Sequence, residues 1–329
     1  MPTSQPGVIL LQLGTPDAPT TKALRRYLRE FLSDPRVVDL RRAVWLPILY
    51  LAVLPIRPMR SAALYRKVWA PGGSPLALTT EAQAHALGCE LTASAGGHVP
   101  VVVGMRYGKP SIRSAVEHLV AAGVDRILAF PMYPQYASAT TGSSLERLFD
   151  EVRGRRIVPS IRVVPPYFKT PEYIGAVANV AREAFAKTTD QFDRLLVSFH
   201  GLPKRYATEG DPYPDHCEAT TAALRRALPE YASKISVVFQ SRFGREEWLQ
   251  PYTDVTLRDL GKRGERVAVI CPGFTADCLE TLEEIDIRGA EQFREAGGRA
   301  FLRVPCLNEH PAWIAAMGAI ASRELIGWL

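Results

Sequence analysis

Several signatures are missing from this 329-residue chain. No G-x-G-x-x-G follows a candidate strand and no G-x-x-x-x-G-K-[ST] occurs, so the usual dinucleotide and nucleotide cradles are excluded. There is no G-x-S-x-G, which sets acyl transfer aside even though Ser198 lies two residues before His200. Five cysteines (Cys89, Cys217, Cys271, Cys278, Cys306) are an odd, scattered set without a C-x-x-C pair. They indicate neither a disulfide framework nor a simple zinc site, and are expected to be reduced thiols. No run of five or six Lys/Arg marks a nucleic-acid arm, although the formal net charge is +6. That balance suits an acidic small molecule or an anionic membrane. The first seven residues lack a cationic start, apolar centre and small-residue cleavage site, so a cytoplasmic location is expected.

What is present is ordinary globular composition, 47% hydrophobic and 22% charged, in a chain longer than a single core usually grows. Short β-branched runs alternate with amphipathic stretches of helical length, the pattern of parallel strands joined by crossover helices. Candidate strands are 8–13, 99–103, 126–132 and 161–164 in the first half, and 195–199, 235–240, 266–270 and 300–304 in the second. Spacings of about 30 residues recur in both halves, as a βαβ unit requires. The expected fold is α/β: two tandem Rossmann-like, doubly wound parallel-sheet domains. The first covers 1–166 and the second 167–308, with a C-terminal helix over 309–329.

The first half carries roughly 50 residues more than one crossover helix needs. This excess includes residues 43–56, fourteen positions that are apolar apart from the breaks made by Pro47 and Pro55. Arg36, Arg41 and Arg42 precede the run, and Arg57 and Arg60 follow it. It is shorter than the roughly 20 residues that span a bilayer. Two readings fit: a lip over about 36–60 that dips into a membrane surface, or a core helix followed by a loop.

Open α/β sheets bind ligands beyond the carboxyl ends of their strands. Of six histidines, only His200 ends an apolar strand and enters a glycine-containing turn, a placement that suits a site residue and equally a satisfied core histidine. After the strand at 266–270, Asp277, Glu280 and Glu284 follow helical spacing and would line one face. The alternative is a capping box, Asp277-Cys278-Leu279-Glu280.

At these residues the sequence resembles the ferrochelatases, above all the proteobacterial type. The likeness runs from Gly7 to beyond Asn308. It is carried by the stretch 10–25, Gly72-Gly73-Ser74-Pro75-Leu76, and the stretches 133–144, 198–206, 210–214, 239–248 and 271–285. The resemblance implies two Rossmann-like domains around a porphyrin cleft, with the C-terminal helix returning to the first domain. It also implies insertion of Fe2+ into protoporphyrin IX with release of two protons, the terminal step of haem biosynthesis. His200 falls on the essential histidine and Glu280 on the site glutamate, both as catalytic and metal-contacting residues. Asp277, Glu284 and Cys278 are candidates for a secondary proton or metal path beside them. Leu13, Ser74, Tyr133, Tyr136 and Trp248 fall on porphyrin-contacting positions, and Ser74, Arg66 and Arg106 are candidates for holding the propionates.

Cys278 stands where other members carry a histidine, and Leu13 where they carry Met or Tyr. The stretch that supplies a [2Fe-2S] cysteine elsewhere reads Tyr136-Ala137-Ser138-Ala139-Thr140-Thr141, and no cysteine follows Cys306. No cluster and no other resident cofactor is therefore expected, and Fe2+ is a substrate. The expected partners are protoporphyrin IX, Fe2+ and, through 43–56, the inner face of the cytoplasmic membrane, with no nucleic acid. Alternatives are a type II chelatase for another metal and tetrapyrrole, a porphyrin carrier, and a two-domain binding protein.

Overall fold

The computed structural model describes residues 5–95, 97–244 and 246–329. The first four positions of the N-terminal segment, Gly96 and Arg245 of the 239–248 motif lie outside the described residues. The chain forms two compact units. The first comprises residues 1–133, 137–165 and 317–329, and the second 134–136 and 166–316. The division passes within the last helix, Pro311–Glu324.

Each unit holds one four-stranded, wholly parallel sheet, as expected for the α/β class. In the first the strands are β1 (Gln5–Thr15), β2 (Val101–Gly108), β3 (Val124–Pro131) and β4 (Ser160–Val163), in the order β2-β1-β3-β4. In the second they are β5 (Arg194–His200), β6 (Ile235–Gln240), β7 (Arg266–Ile270) and β8 (Ala300–Arg303), in the equivalent order β6-β5-β7-β8. The central strands read as nearly continuous apolar runs because both faces are covered, as in β1, where 6–12 are buried. In the first unit Ile9, Leu11, Ile127 and Ala129 pack against Ile112, Val116 and Leu148 of flanking helices. In the second, Leu196, Val238, Val267 and Val269 pack against Leu257, Ile285 and Phe293.

In this order the winding reverses between β1 and β3, and between β5 and β7, so a crevice is expected at the carboxyl ends of those pairs. Backbone there is crowded. Gly14 has φ +104°, and a Cβ on it would collide with the Tyr107 carbonyl of β2, so glycine is required. Both units also leave their third strand through π-helical backbone, Ser138–Gly142 after β3 and Glu280–Gly289 after β7. Such wide turns are rare and concentrate at functional sites.

The apolar run departs from the core-helix reading, and its helix extends well beyond 43–56. Residues 42–68 form one helical stretch: Arg42–Ile48, a π turn over Leu49–Val53, and Leu54–Val68. The helix passes Pro47, Pro55 and Pro58 instead of stopping. A proline inside a helix removes a hydrogen bond and crowds the carbonyl four residues earlier, and the π turn between Pro47 and Pro55 widens the backbone where this strain falls. It is not a core helix. Only 22% of its most apolar window is buried, and Val44, Ile48, Tyr50, Leu51, Ile56 and Met59 are exposed.

Candidate functional site

His200 is the last residue of β5 and is half-buried. Its Nδ1 lies 2.7 Å from the Gly201 carbonyl oxygen. A carbonyl only accepts, so this bond requires the proton on Nδ1, and in the neutral imidazole the lone pair then falls on Nε2. The ring centroid lies 6.4 Å from that of Trp248, at an interplanar angle of 51°. The turn after β5 and the strap carrying Trp248 are tied together by backbone bonds from Leu249 N to Leu202 O and from Lys204 N to Glu247 O, both 2.9 Å. Gly201 makes this approach possible: a Cβ there would lie 3.0 Å from the Gln240 carbonyl and 3.1 Å from Trp248 Cε3. The buried Trp248 Nε1 has no hydrogen-bond partner among the described residues.

Gln240 pairs with His200 in the sheet register and is buried. Its Oε1 accepts from Ser198 Oγ at 2.8 Å, and its Nε2 donates to the Glu280 carbonyl at 2.9 Å. Ser198 Oγ also lies 3.0 Å from Thr253 Oγ1, so this serine is a locked structural hydroxyl. Gln240 thus joins the strand edge beside His200 to the start of the π segment bearing Glu280. Sequence reasoning gave it no role, although its position after an apolar strand was the available signal.

The carboxylates are not gathered as the helical spacing suggested. Asp277 precedes the π segment, and its carboxylate takes Arg303 Nη1 and Asn308 Nδ2, each at 2.8 Å. Both side chains of the Asp277–Arg303 pair are largely buried, at 13% and 8% exposure. The capping-box reading fails too: the Cys278 N–H is taken by Thr281 Oγ1 at 3.0 Å, and Thr281 donates to Asp277 at 2.9 Å. Glu284 accepts from Ser241 N at 2.9 Å and from the Ser241 hydroxyl. Ser241 sits in the left-handed region with φ +66°, strained backbone that aims both groups at Glu284. Glu280 is half-buried, its side chain takes part in a hydrogen bond with the Cys278 thiol, and it makes no ion pair with any described residue. No group of three or more His, Cys, Asp or Glu among the described residues is disposed to hold a metal.

Cys278 is buried, and burial, reinforced by Glu280, pushes its thiol well above the ordinary range. Burial likewise pushes Cys271 up to about 12. At neutral pH these are thiols, which suits neither tight metal capture nor fast proton relay. Tyr136, in the second unit, donates its backbone N–H to His216 Nδ1 at 3.1 Å, and His216 stacks on Phe168 with centroids 3.8 Å apart. Accepting that bond requires an unprotonated Nδ1, and burial lowers the His216 pKa in the same sense.

The remaining sequence candidates belong to the first unit. Leu13 is half-buried near the end of β1, with its N–H on Gln12 Oε1 at 3.0 Å. Tyr133 follows β3, and burial pushes its phenol up. Two propionate candidates are committed elsewhere. Ser74 is buried, its hydroxyl facing Ala77 N at 3.4 Å as the cap of the helix Pro75–Ala95. Arg106 pairs with Asp34 at 2.5 Å and donates to Ser143 Oγ at 2.7 Å, in a network completed by Tyr107 OH on Asp34 at 2.7 Å. Arg66 is exposed.

Two doubly wound parallel sheets, with an imidazole and a carboxylate at the carboxyl edge of one of them, define the chelatase class of fold. SirB from Bacillus subtilis with Fe3+ superposes with a TM-score of 0.54 at 16% identity, covering 77% of this chain and 92% of that one. CbiX, described as the terminal enzyme for biosynthesis of siroheme in denitrifying bacteria, gives 0.52 at 16% identity, covering 96% and 98%. The sirohydrochlorin chelatase SirB from Bacillus subtilis subspecies spizizenii, in complex with cobalt, gives 0.52 at 13% identity over 77% and 92%. At these identities the likeness is one of fold. The ferrochelatase family model matches residues 5–325, and the chain belongs to the ferrochelatase family. Metal insertion into a tetrapyrrole is the class of reaction this membership supports.

Proposed function

We propose that this protein inserts Fe2+ into protoporphyrin IX and releases two protons, forming protohaem as the last step of haem synthesis. The observation that carries the reading is the Nδ1 bond of His200 to the Gly201 carbonyl, which fixes the ring at the carboxyl edge of the sheet and, in the neutral imidazole, makes Nε2 the acceptor. One Fe2+ replaces two pyrrole N–H protons, so the charge within the ring is unchanged and the obstacle is geometric: a planar macrocycle hides its nitrogen lone pairs. Binding energy from aromatic walls holds the ring in a distorted shape that exposes them. Trp248 and Tyr136 are the wall residues of the second unit; Tyr133 and Leu13, in the first, are assigned to porphyrin contact by resemblance alone. His200 Nε2 accepts a pyrrole proton or touches the arriving metal, and Glu280 takes the second role. The mixed, open donor set suits Fe2+ in transit, because the metal must be held and then released. Glu284, held by Ser241, extends the anionic path, whereas Asp277 acts by fixing the approach to Glu280. Cys278 packs behind that site as a buried thiol.

No resident cofactor takes part in this scheme. The protein works as a cytoplasmic enzyme that touches the inner face of the cytoplasmic membrane through 43–56, whose exposed apolar side chains support the contact. The test is an anaerobic panel of Fe2+, Co2+ and Ni2+ against protoporphyrin IX and a more polar, polycarboxylated tetrapyrrole. Fastest turnover with Fe2+ and protoporphyrin IX is expected. Faster turnover of the polar ring, or binding without turnover, overturns the assignment.

A further inference from the structure

On the helix Thr21–Leu32, Lys22, Arg25, Arg26 and Arg29 fall at spacings of three, four and seven, so they share one face. All four are exposed, and the opposite face buries Leu24, Leu28 and Leu32. Like charges at these offsets oppose helix formation. Arg26 pairs with Asp17 at 2.8 Å, while Lys22, Arg25 and Arg29 make no ion pair with any described residue. The four cations line a cavity of about 370 Å³, whose remaining walls are Tyr50, Leu54 and Pro55. No acid lines it. The larger neighbouring cavity, of about 550 Å³, differs, since Asp17, Glu30 and Asp34 offset its cations.

The apolar side of the same trough is the 42–68 helix, with Leu51 81% exposed and Met59 61% exposed. Cations beside a projecting apolar ridge are the pattern of an element lying in a bilayer interface, with apolar groups at acyl depth and cations at headgroup level. We propose that the trough between the Lys22/Arg25/Arg26/Arg29 face and Tyr50–Leu54–Pro55 seats the headgroup of an anionic phospholipid. Charge complementarity and the absence of any lining acid favour this occupant over a zwitterionic lipid. The inference rests on the membrane contact proposed above and names the lipid class that the contact selects.

The test is co-sedimentation of the full chain with vesicles of phosphatidylcholine alone, and with about one third phosphatidylglycerol. Three variants accompany it: Lys22→Gln, Arg25→Gln/Arg29→Gln, and Leu51→Asp. The wild type should bind the anionic vesicles more tightly, losing affinity as salt rises, and each cation removed should weaken binding about fivefold. Inorganic phosphate at matched ionic strength should compete no better than chloride; strong competition makes the trough a free-anion site and overturns the headgroup assignment. Equal binding to both vesicles, abolished by Leu51→Asp, would keep the membrane contact and overturn the anionic seat. Binding to neither would overturn both, as would self-association through this face, seen as a larger species that Leu51→Asp returns to monomer. Unchanged thermal melting of the Gln variants keeps a loss of binding attributable to charge.

Discussion

The side-chain amide of Gln240 holds the backbone carbonyl of Glu280 at 2.9 Å. Because Gln240 sits beside His200 in the sheet, the residue paired with the imidazole strand also fixes the first residue of the π segment. The two proposed reacting groups are therefore positioned by one buried side chain, which also satisfies Ser198. Gln240→Ala removes the donor to the part-buried Glu280 carbonyl and one of the two partners of the buried Ser198 hydroxyl, which keeps Thr253. A loss of about 1–3 kcal/mol in denaturant unfolding is expected. The insertion rate should fall while the porphyrin KM stays near wild type, in steady-state fluorescence assays.

Gly201→Ala tests how closely the His200 turn must approach Trp248. The added methyl meets the Gln240 carbonyl at 3.0 Å and the indole at 3.1 Å, so the strap must give way. Overpacking of this kind costs about 1–3 kcal/mol. A shift in tryptophan emission together with slower insertion is expected, and unchanged emission would show that Trp248 is not confined by this turn.

Asp277 and Glu280 are three residues apart, yet they should separate cleanly. Asp277→Ala removes one of the two carboxylates that face the largely buried Arg303 guanidinium, leaving Asp286 at 3.3 Å, and about 1–3 kcal/mol of stability should be lost. Glu280→Gln alters a half-buried carboxylate that makes no ion pair and keeps an amide oxygen to face the Cys278 thiol, so melting should hardly move while insertion collapses. Parallel thermal melts and activity assays distinguish the two.

The bond from Tyr136 N to His216 Nδ1 gives the second unit a built-in acid sensitivity. Burial lowers the folded-state pKa of His216 below its ordinary 6.5, so between the two values the unfolded chain binds more protons. The contribution is fully present above pH 6.5 and is lost as pH falls through the lower folded value. Denaturant midpoints of the wild type should therefore drop from pH 8 to pH 5 more steeply than those of His216→Gln, which should be the less stable protein at pH 8.

All eight strands were legible in the sequence, because β-branched apolar runs bounded by turn residues mark doubly covered parallel strands independently of distant context. His200 was legible for the same reason: a polar residue ending such a run must lie at the sheet edge. The surroundings of Glu280 were not. Spacing on an ideal helix placed Asp277 with Glu280 and Glu284, but Asp277 is claimed by Arg303 and Asn308, whose approach only the folded sheet creates. The π geometry of Glu280–Gly289 and the passage of the 42–68 helix through its prolines likewise depend on tertiary packing, which overrides local preference. Ser74 and Arg106 read as ligand partners because their internal partners, a helix end and Asp34, carry no local signature.

The most direct test is anaerobic mixing of Fe2+ and protoporphyrin IX with the wild type and His200→Ala, following loss of porphyrin fluorescence alongside porphyrin binding measured without metal. With the lone pair on Nε2 removed, insertion should fall by at least about a hundredfold, the scale of a positioned acid–base group, while the porphyrin dissociation constant stays within a few-fold. Full insertion by His200→Ala would contradict the account.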